Sequence, residues 1–332
     1  MKYTFLLITG LLAATGTRAQ LHLDTVSAIT RNPNLYSLLI HKDGKTVYGK
    51  YFNGRRETSL MNDQSLTKSV VSLLVGIAID KGFIHSVDEP IVDFFPELKN
   101  DPDPRKPQVT IRQIMNQASG LYHEDLTKLG GLLEYLMAPS QKDLVLNAPL
   151  NDEPGRTWHY SNAATHLLSV ILTKSTGTDT YTFGKKYLFD PLGIRTLEWP
   201  QMKDGYYDGC GLLAIRLRSE DMLKIGLLIL HHGRYNDKQI VPANWTDLIL
   251  NPDKSYPTEW GFDHSTYALC YYHATVGTTP ITYGMGWGGQ FLVIIPTLNA
   301  VIVANENTDD ATAISQSILF TTKICPLILA SY

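Results

Sequence analysis

The sequence predicts an α+β fold: an antiparallel sheet flanked by helices, with a mostly helical subdomain inserted into it. Three observations carry this. Strand-like runs stand near both ends of the chain, at residues 36–40 and 46–52 and again at 267–273, 291–295 and 300–305. Residues 85–200 between them read as helices separated by loops rich in Pro and Gly. Residues 65–82 read as a helix apolar on nearly every side, which a layered core must bury.

Each element has its local reason. Residues 1–19 read as a secretory leader: Lys2 is a short positive region, 5–14 an apolar core too short to span a bilayer, and Ala19 a small residue suited to cleavage. The mature domain is then expected over 20–332, exported to a periplasmic or extracellular space. No later run reaches the roughly 18 apolar residues of a membrane span, so none is expected in the mature form. The first two strands are joined across Asp43-Gly44, a strong hairpin signal. The buried helix stops at Lys81-Gly82. Helical pieces follow at 110–118, 129–137, 162–175 and 181–188. A further helix covers 219–230, the last two strands turn at 296–299, and 311–329 forms a closing helix.

Composition excludes some functions. A net charge of −3 with no basic cluster argues against a nucleic-acid partner. Three cysteines make no disulfide framework; Cys210 and Cys270 either pair or remain buried thiols beside Cys325. The histidines form no HExxH motif and no CxxC is present, so no metal site or cofactor is expected. Oligomeric state is not legible.

Three clusters carry chemistry. Ser65 and Lys68 share one face of the first turn of the buried helix. Burial and the positive helix end oppose charge on that Lys, and a neutral amine beside a hydroxyl is a general base beside a nucleophile. Pro154-Gly155 begins a loop that presents Tyr160 just before a helix start at Asn162, a residue suited to capping that helix. A Tyr phenol near an ammonium can shuttle a proton. Finally, the glycine-rich stretch 284–290 leads into the strand 291–295 and offers backbone N–H groups to an oxyanion.

Taken together, Ser65-Leu-Thr-Lys68, Tyr160-Ser-Asn162 and Trp287-Gly-Gly289 resemble, in order and spacing, the three motifs of serine hydrolases with the penicillin-binding protein/class C β-lactamase fold. Asp88-Glu-Pro90, residues 110–121 and residues 209–221 look similar too. The resemblance implies a β-lactamase/transpeptidase-like fold and an acyl-enzyme mechanism without a cofactor. It makes Ser65 the nucleophile, with Lys68 and Tyr160 sharing the base role. It places Asn162 toward Lys68 or the substrate, and gives the oxyanion hole to the backbone N–H groups of Ser65 and Gln290. Trp287, Gly288 and Gly289 would then line the substrate site.

One departure bears on substrate. Trp287 and Gly288 stand where penicillin-recognising members carry a cation and a hydroxyl that receive the substrate carboxylate. The Trp-Gly-Gly form resembles the esterase and nylon-oligomer hydrolase members instead, which implies a small-molecule ester or amide substrate. His264, His273 and Tyr283 fall near the third motif and are candidate pocket residues, though each also suits a structural role. Two alternatives stay open: a D-Ala-D-Ala peptidase or β-lactamase, and a non-catalytic ligand-binding or sensor domain on the same fold. An α/β-hydrolase is excluded by the lack of a Gly-x-Ser-x-Gly elbow.

Overall fold

The computed structural model describes residues 33–126 and 129–332; the predicted leader at 1–19 lies outside the described residues. An eight-stranded antiparallel sheet forms the body. From one edge its order is Lys45–Tyr51, Leu35–Lys42, Ala300–Glu306, Gln290–Ile295, Thr279–Gly286, Tyr271–Val276, Thr266–Ala268 and Tyr256–Pro257. An early and a late strand therefore meet near one edge of the sheet, where Leu35–Lys42 pairs with Ala300–Glu306.

The side-chain period of two sorts the strands onto two cores. Leu292, Ile294, Val301 and Val303 face the helix Leu66–Asp80 and the helical lobe. Phe291, Val293, Ile295, Ile302 and Ala304 face the other way, onto Phe320, Ile324 and Ile328 of the C-terminal helical segment. That segment is not the single helix expected. It runs Ala313–Leu319, widens into a π turn at Phe320–Ile324, and resumes as Cys325–Leu329 with Pro326 in its first turn, where its missing N–H is tolerated.

Between 85 and 200 the described residues hold helices, turns and isolated bridges but no strand of the sheet. The lobe includes Ile111–Met115, Leu129–Met137, Gln141–Asn147, Asn162–Thr176 and Thr180–Gly184. Its apolar side chains join the core around Leu66–Asp80, which is buried from Leu66 to Ala78. The helix at Ser219–Leu230 has the bounds its sequence predicts.

Two strand readings need correction. The run 267–273 is not one strand: Leu269 and Cys270 adopt positive φ, 49° and 68°, and turn the chain between Thr266–Ala268 and Tyr271–Val276. The glycine-rich stretch is not the entrance to a single strand. Gly284–Gly286 end the strand Thr279–Gly286, and Trp287-Gly288-Gly289 is the turn of a hairpin closed by Gly286 and Gln290. Gly288 and Gly289 take φ of 84° and 87°, which side-chain-bearing residues rarely adopt. All three cysteines are free, buried thiols, so the Cys210–Cys270 pair does not form. Among the described residues no helix is long and apolar enough to cross a membrane.

Candidate active site

Ser65 is the N-cap residue of Leu66–Asp80, yet its hydroxyl makes no cap bond. The helix start is satisfied by backbone instead: Leu66 N donates to Asp63 O and Thr67 N to Gln64 O, each at 3.0 Å. Gln64 holds this turn in the left-handed region, at φ 49°. The Ser65 hydroxyl is thereby left half-buried and free for other partners.

Those partners are Lys68 and Tyr160. Lys68 Nζ donates to Ser65 Oγ at 3.0 Å, and the Tyr160 hydroxyl lies 2.7 Å from the same oxygen. Lys68 is 1% exposed and sits 4.7 Å from the centre of the Tyr160 ring. It also donates to Asn162 Oδ1 at 2.7 Å and to the carbonyl of Cys210. An ammonium has three donors, and here each meets an acceptor. Burial pushes the Lys68 pKa down, but the neighbouring Tyr160, Cys210 and Asp208 outweigh it and the net direction is up. These neighbours thus favour the charged form of Lys68 over the neutral amine that burial alone suggests, and Lys68 and Tyr160 are close enough to titrate as a coupled pair.

Asn162 does not cap its helix. Ser161 does, accepting from Ala164 N at 2.9 Å, and this leaves the Asn162 side chain for Lys68. The buried carboxylate of Glu124 receives Asn162 N at 2.8 Å and Ala163 N at 3.2 Å, adding a negative group at the helix N-terminus. Gln117 Oε1 accepts Ser161 N at 2.7 Å. Neither residue was singled out from the sequence.

The Cys210 carbonyl is held by Asp208, also unsignalled. Its two carboxylate oxygens accept the backbone N–H groups of Cys210, Gly211, Leu213 and Ala214 between 2.8 and 3.0 Å, and the Cys210 thiol at 3.0 Å. Burial raises the Asp208 pKa, but these bonds and the nearby His166 prevail, so the group stays below the ordinary carboxylate range. Gly211 passes beside Ser65: a Cβ there would lie 2.3 Å from Gln64 O and 2.9 Å from Ser65 Cα.

The third cluster stands apart from this network. A Cβ on Gly286 would lie 2.6 Å from Asp63 O, so the hairpin end abuts the residues before Ser65. Trp287, Gly288, Gly289 and Gln290 make no hydrogen bond to Ser65, Lys68, Tyr160 or Asn162. Trp287 is 46% exposed and its indole N–H donates to Asp310 Oδ1 at 2.8 Å. The Gln290 side chain is buried and donates to Glu306 O at 2.8 Å. Two indoles stand against Tyr160: Trp260, with ring centres 4.6 Å apart, and Trp158, at 6.3 Å from Tyr160 and 6.1 Å from Trp260. Both line an open cleft of about 760 Å³ that also includes His264. Tyr283 is structural, its hydroxyl bonding Ser265 Oγ at 2.6 Å and accepting from Phe262 N. His273 contacts Thr282 Oγ1 at 3.2 Å.

Comparison with known proteins agrees with this architecture. A family model described as Beta-lactamase matches residues 35–317. A curated relative, Beta-lactamase-like protein 2 of Dictyostelium discoideum, is 25% identical over 194 residues, covering 56% of this chain and 32% of the relative, so the chain matches about a third of that relative's length. Among solved structures, a Bacillus anthracis protein provisionally named a 6-aminohexanoate-dimer hydrolase superposes with a TM-score of 0.75 at 20% identity, over 92% of this chain and 82% of its own. EstCE1, described as a hydrolase with promiscuous acyltransferase activity, gives a TM-score of 0.71 at 14% identity, over 96% and 98%. These likenesses establish a β-lactamase/transpeptidase-like fold.

Proposed function

We propose that this chain, which belongs to the Beta-lactamase family, is a serine hydrolase that cleaves neutral esters or small amides through an acyl-enzyme on Ser65. The observation that carries this reading is the pair of contacts on one oxygen: Lys68 Nζ and the Tyr160 hydroxyl both reach Ser65 Oγ within 3.0 Å. That is the nucleophile–base geometry of covalent catalysis.

In this mechanism Ser65 Oγ attacks the substrate carbonyl as its proton passes to the Lys68–Tyr160 pair, which enters the step one proton short, as ammonium with phenolate or as amine with phenol. Asn162 and the Cys210 carbonyl keep Lys68 in place. The backbone N–H groups of Ser65 and Gln290 receive the oxyanion. Tyr160 returns the proton to the leaving alcohol or amine, and water then releases the acyl group. No step needs a cofactor. Trp158 and Trp260 beside Tyr160 supply an apolar wall for the acyl or alcohol part, with Trp287 at the hairpin turn as a further contact. The names of the two structural relatives, a 6-aminohexanoate-dimer hydrolase and a hydrolase with promiscuous acyltransferase activity, support acyl transfer on a small molecule. The reading includes export, with the leader removed after Ala19.

The test contrasts substrates. A carboxylate held by one charged hydrogen bond gains about 1.5–3 kcal/mol, roughly 10- to 100-fold in binding. Trp287 and Gly288 offer neither the cation nor the hydroxyl. The expected kcat/KM for p-nitrophenyl acetate or butyrate therefore exceeds that for nitrocefin by at least about 100-fold, with Ser65→Ala abolishing both. Nitrocefin hydrolysed as fast as the ester would favour the β-lactamase alternative. A folded parent that neither hydrolyses esters nor takes a fluorophosphonate label would favour the sensor.

A further inference from the structure

A second cluster of chemically competent side chains lies one residue from Tyr160. One ligand atom from each of His123, Asp152 and His159 falls within 4.8 Å of the other two. The imidazoles of His123 and His159 are stacked, centres 3.4 Å apart and planes at 27°. His123 Nε2 stands 3.6 Å from Asp152 Oδ2, beyond hydrogen-bond reach, and is buried with no partner. A buried ring nitrogen aimed at a carboxylate it does not bond needs an account.

The backbone supplies part of it. All three residues hang from one short turn. His159 N donates to Gln117 O at 2.7 Å, Gly155 N to Ala118 O at 2.7 Å, and Asn151 N and Asp152 N to Gly120 O at 2.7 and 3.3 Å. His123 follows the same turn, whose Ser119 Oγ accepts Leu121 N at 3.3 Å. The three backbone positions are therefore held together before any ligand arrives, and the stacked imidazoles must turn to aim a nitrogen each at a common centre.

We propose that His123, Asp152 and His159 form a binding site for a divalent transition-metal ion of the Zn²⁺ type, which ties the loop carrying Tyr160 to the Gln117–Leu121 turn. Two imidazoles and one carboxylate suit Zn²⁺, which takes three protein ligands at about 2.0–2.2 Å and leaves a fourth position to water. Mg²⁺ and Ca²⁺ prefer all-oxygen sites and fit this set poorly. The ion would occupy a place distinct from Ser65 and take no part in acyl transfer, so the proposal stands apart from the catalytic reading.

The full chain, stripped with chelator, is titrated with Zn²⁺ by calorimetry and with Co²⁺ by visible absorption. The expected result is one ion per chain, intense d–d bands of tetrahedral Co²⁺, and a Tm that rises with added Zn²⁺. His123→Gln, Asp152→Asn and His159→Gln should each weaken binding at least about tenfold, with unchanged far-ultraviolet circular dichroism. Should His123→Gln fail to fold, the more exposed Asp152→Asn decides. Absence of saturable Zn²⁺ binding by the parent, or binding that survives all three substitutions together, overturns the proposal.

Discussion

Replacing Asp208 by Asn probes how far the chemistry depends on one buried carboxylate. Its two oxygens serve four backbone N–H groups and a thiol, and the residue is fully buried. An Asn side chain has one carbonyl oxygen, so one pair of N–H groups, either Cys210 with Gly211 or Leu213 with Ala214, must face an NH₂. Each hydrogen bond to a charged group is worth about 1.5–3 kcal/mol, so losing two removes about 3–6 kcal/mol. A domain has only about 5–15 kcal/mol in total. Urea unfolding should show a lower midpoint at unchanged slope. Where the variant is still folded, kcat should fall as well, because the loosened loop carries the Cys210 carbonyl that holds Lys68. The pH dependence follows from sign. The folded pKa of Asp208 is depressed, so its stabilisation is full above the unfolded carboxylate value near about 3.9 and is lost as pH falls through the folded value. The gap between parent and variant should therefore narrow on acidification. A variant within about 1 kcal/mol of the parent at neutral pH would refute the claim that this carboxylate organises the loop.

Glu306 carries the opposite sign. Burial pushes its pKa up to about 8, with the nearby Gln316 offsetting only part of that rise. Its contribution is most favourable below the unfolded value near about 4.3 and declines as pH rises toward the folded value. Glu306→Gln should flatten that decline and raise Tm at alkaline pH; equal Tm profiles for the two proteins would exclude it. Gly211→Ala places a methyl against Gln64 O and Ser65 in a backbone conformation costly for Ala. A displaced nucleophile should cost on the order of 100-fold in kcat/KM, and parent-like ester hydrolysis would show that the loop can give way. Export is checked by mass spectrometry of protein from the exported fraction, with Gln20 expected at its N-terminus; a peptide spanning Leu11–Ala19 would exclude cleavage there.

The Ser65–Lys68 pair was legible because its signal is local: three residues apart on a helix whose apolar run demands burial. Tyr160 and Asn162 were legible as residue types, but their local roles were not. The helix cap passed from Asn162 to Ser161 because either side chain suits a cap, and only the position of Lys68 decides between them. The net pull on Lys68 toward its charged form is hidden from the sequence for a related reason. Burial can be read from the run of apolar residues, whereas the acceptors that offset it come from residues 160, 162 and 210. Asp208 and the Cys210 carbonyl left no trace, since a backbone oxygen has no residue type and a lone Asp in a glycine-rich loop reads as a turn. The strand Thr279–Gly286 escaped notice because Pro280, Gly284 and Gly286 are poor strand formers. The break at Leu269-Cys270 lies within an unbroken apolar run and carries no Gly or Pro to mark it.

The contacts that define Lys68 span 94 residues to Asn162 and 142 to Cys210, and Tyr160 reaches Ser65 across 95. No fragment holding only the Ser65–Lys68 pair has the acceptors that set the amine's charge or the phenol that reaches the hydroxyl. Reactivity is thus a property of the closed topology, acquired only when distant parts of the chain have met. Before that, while still unfolded, Ser65 is an ordinary serine with neither Tyr160 nor the acceptors of Lys68 at hand.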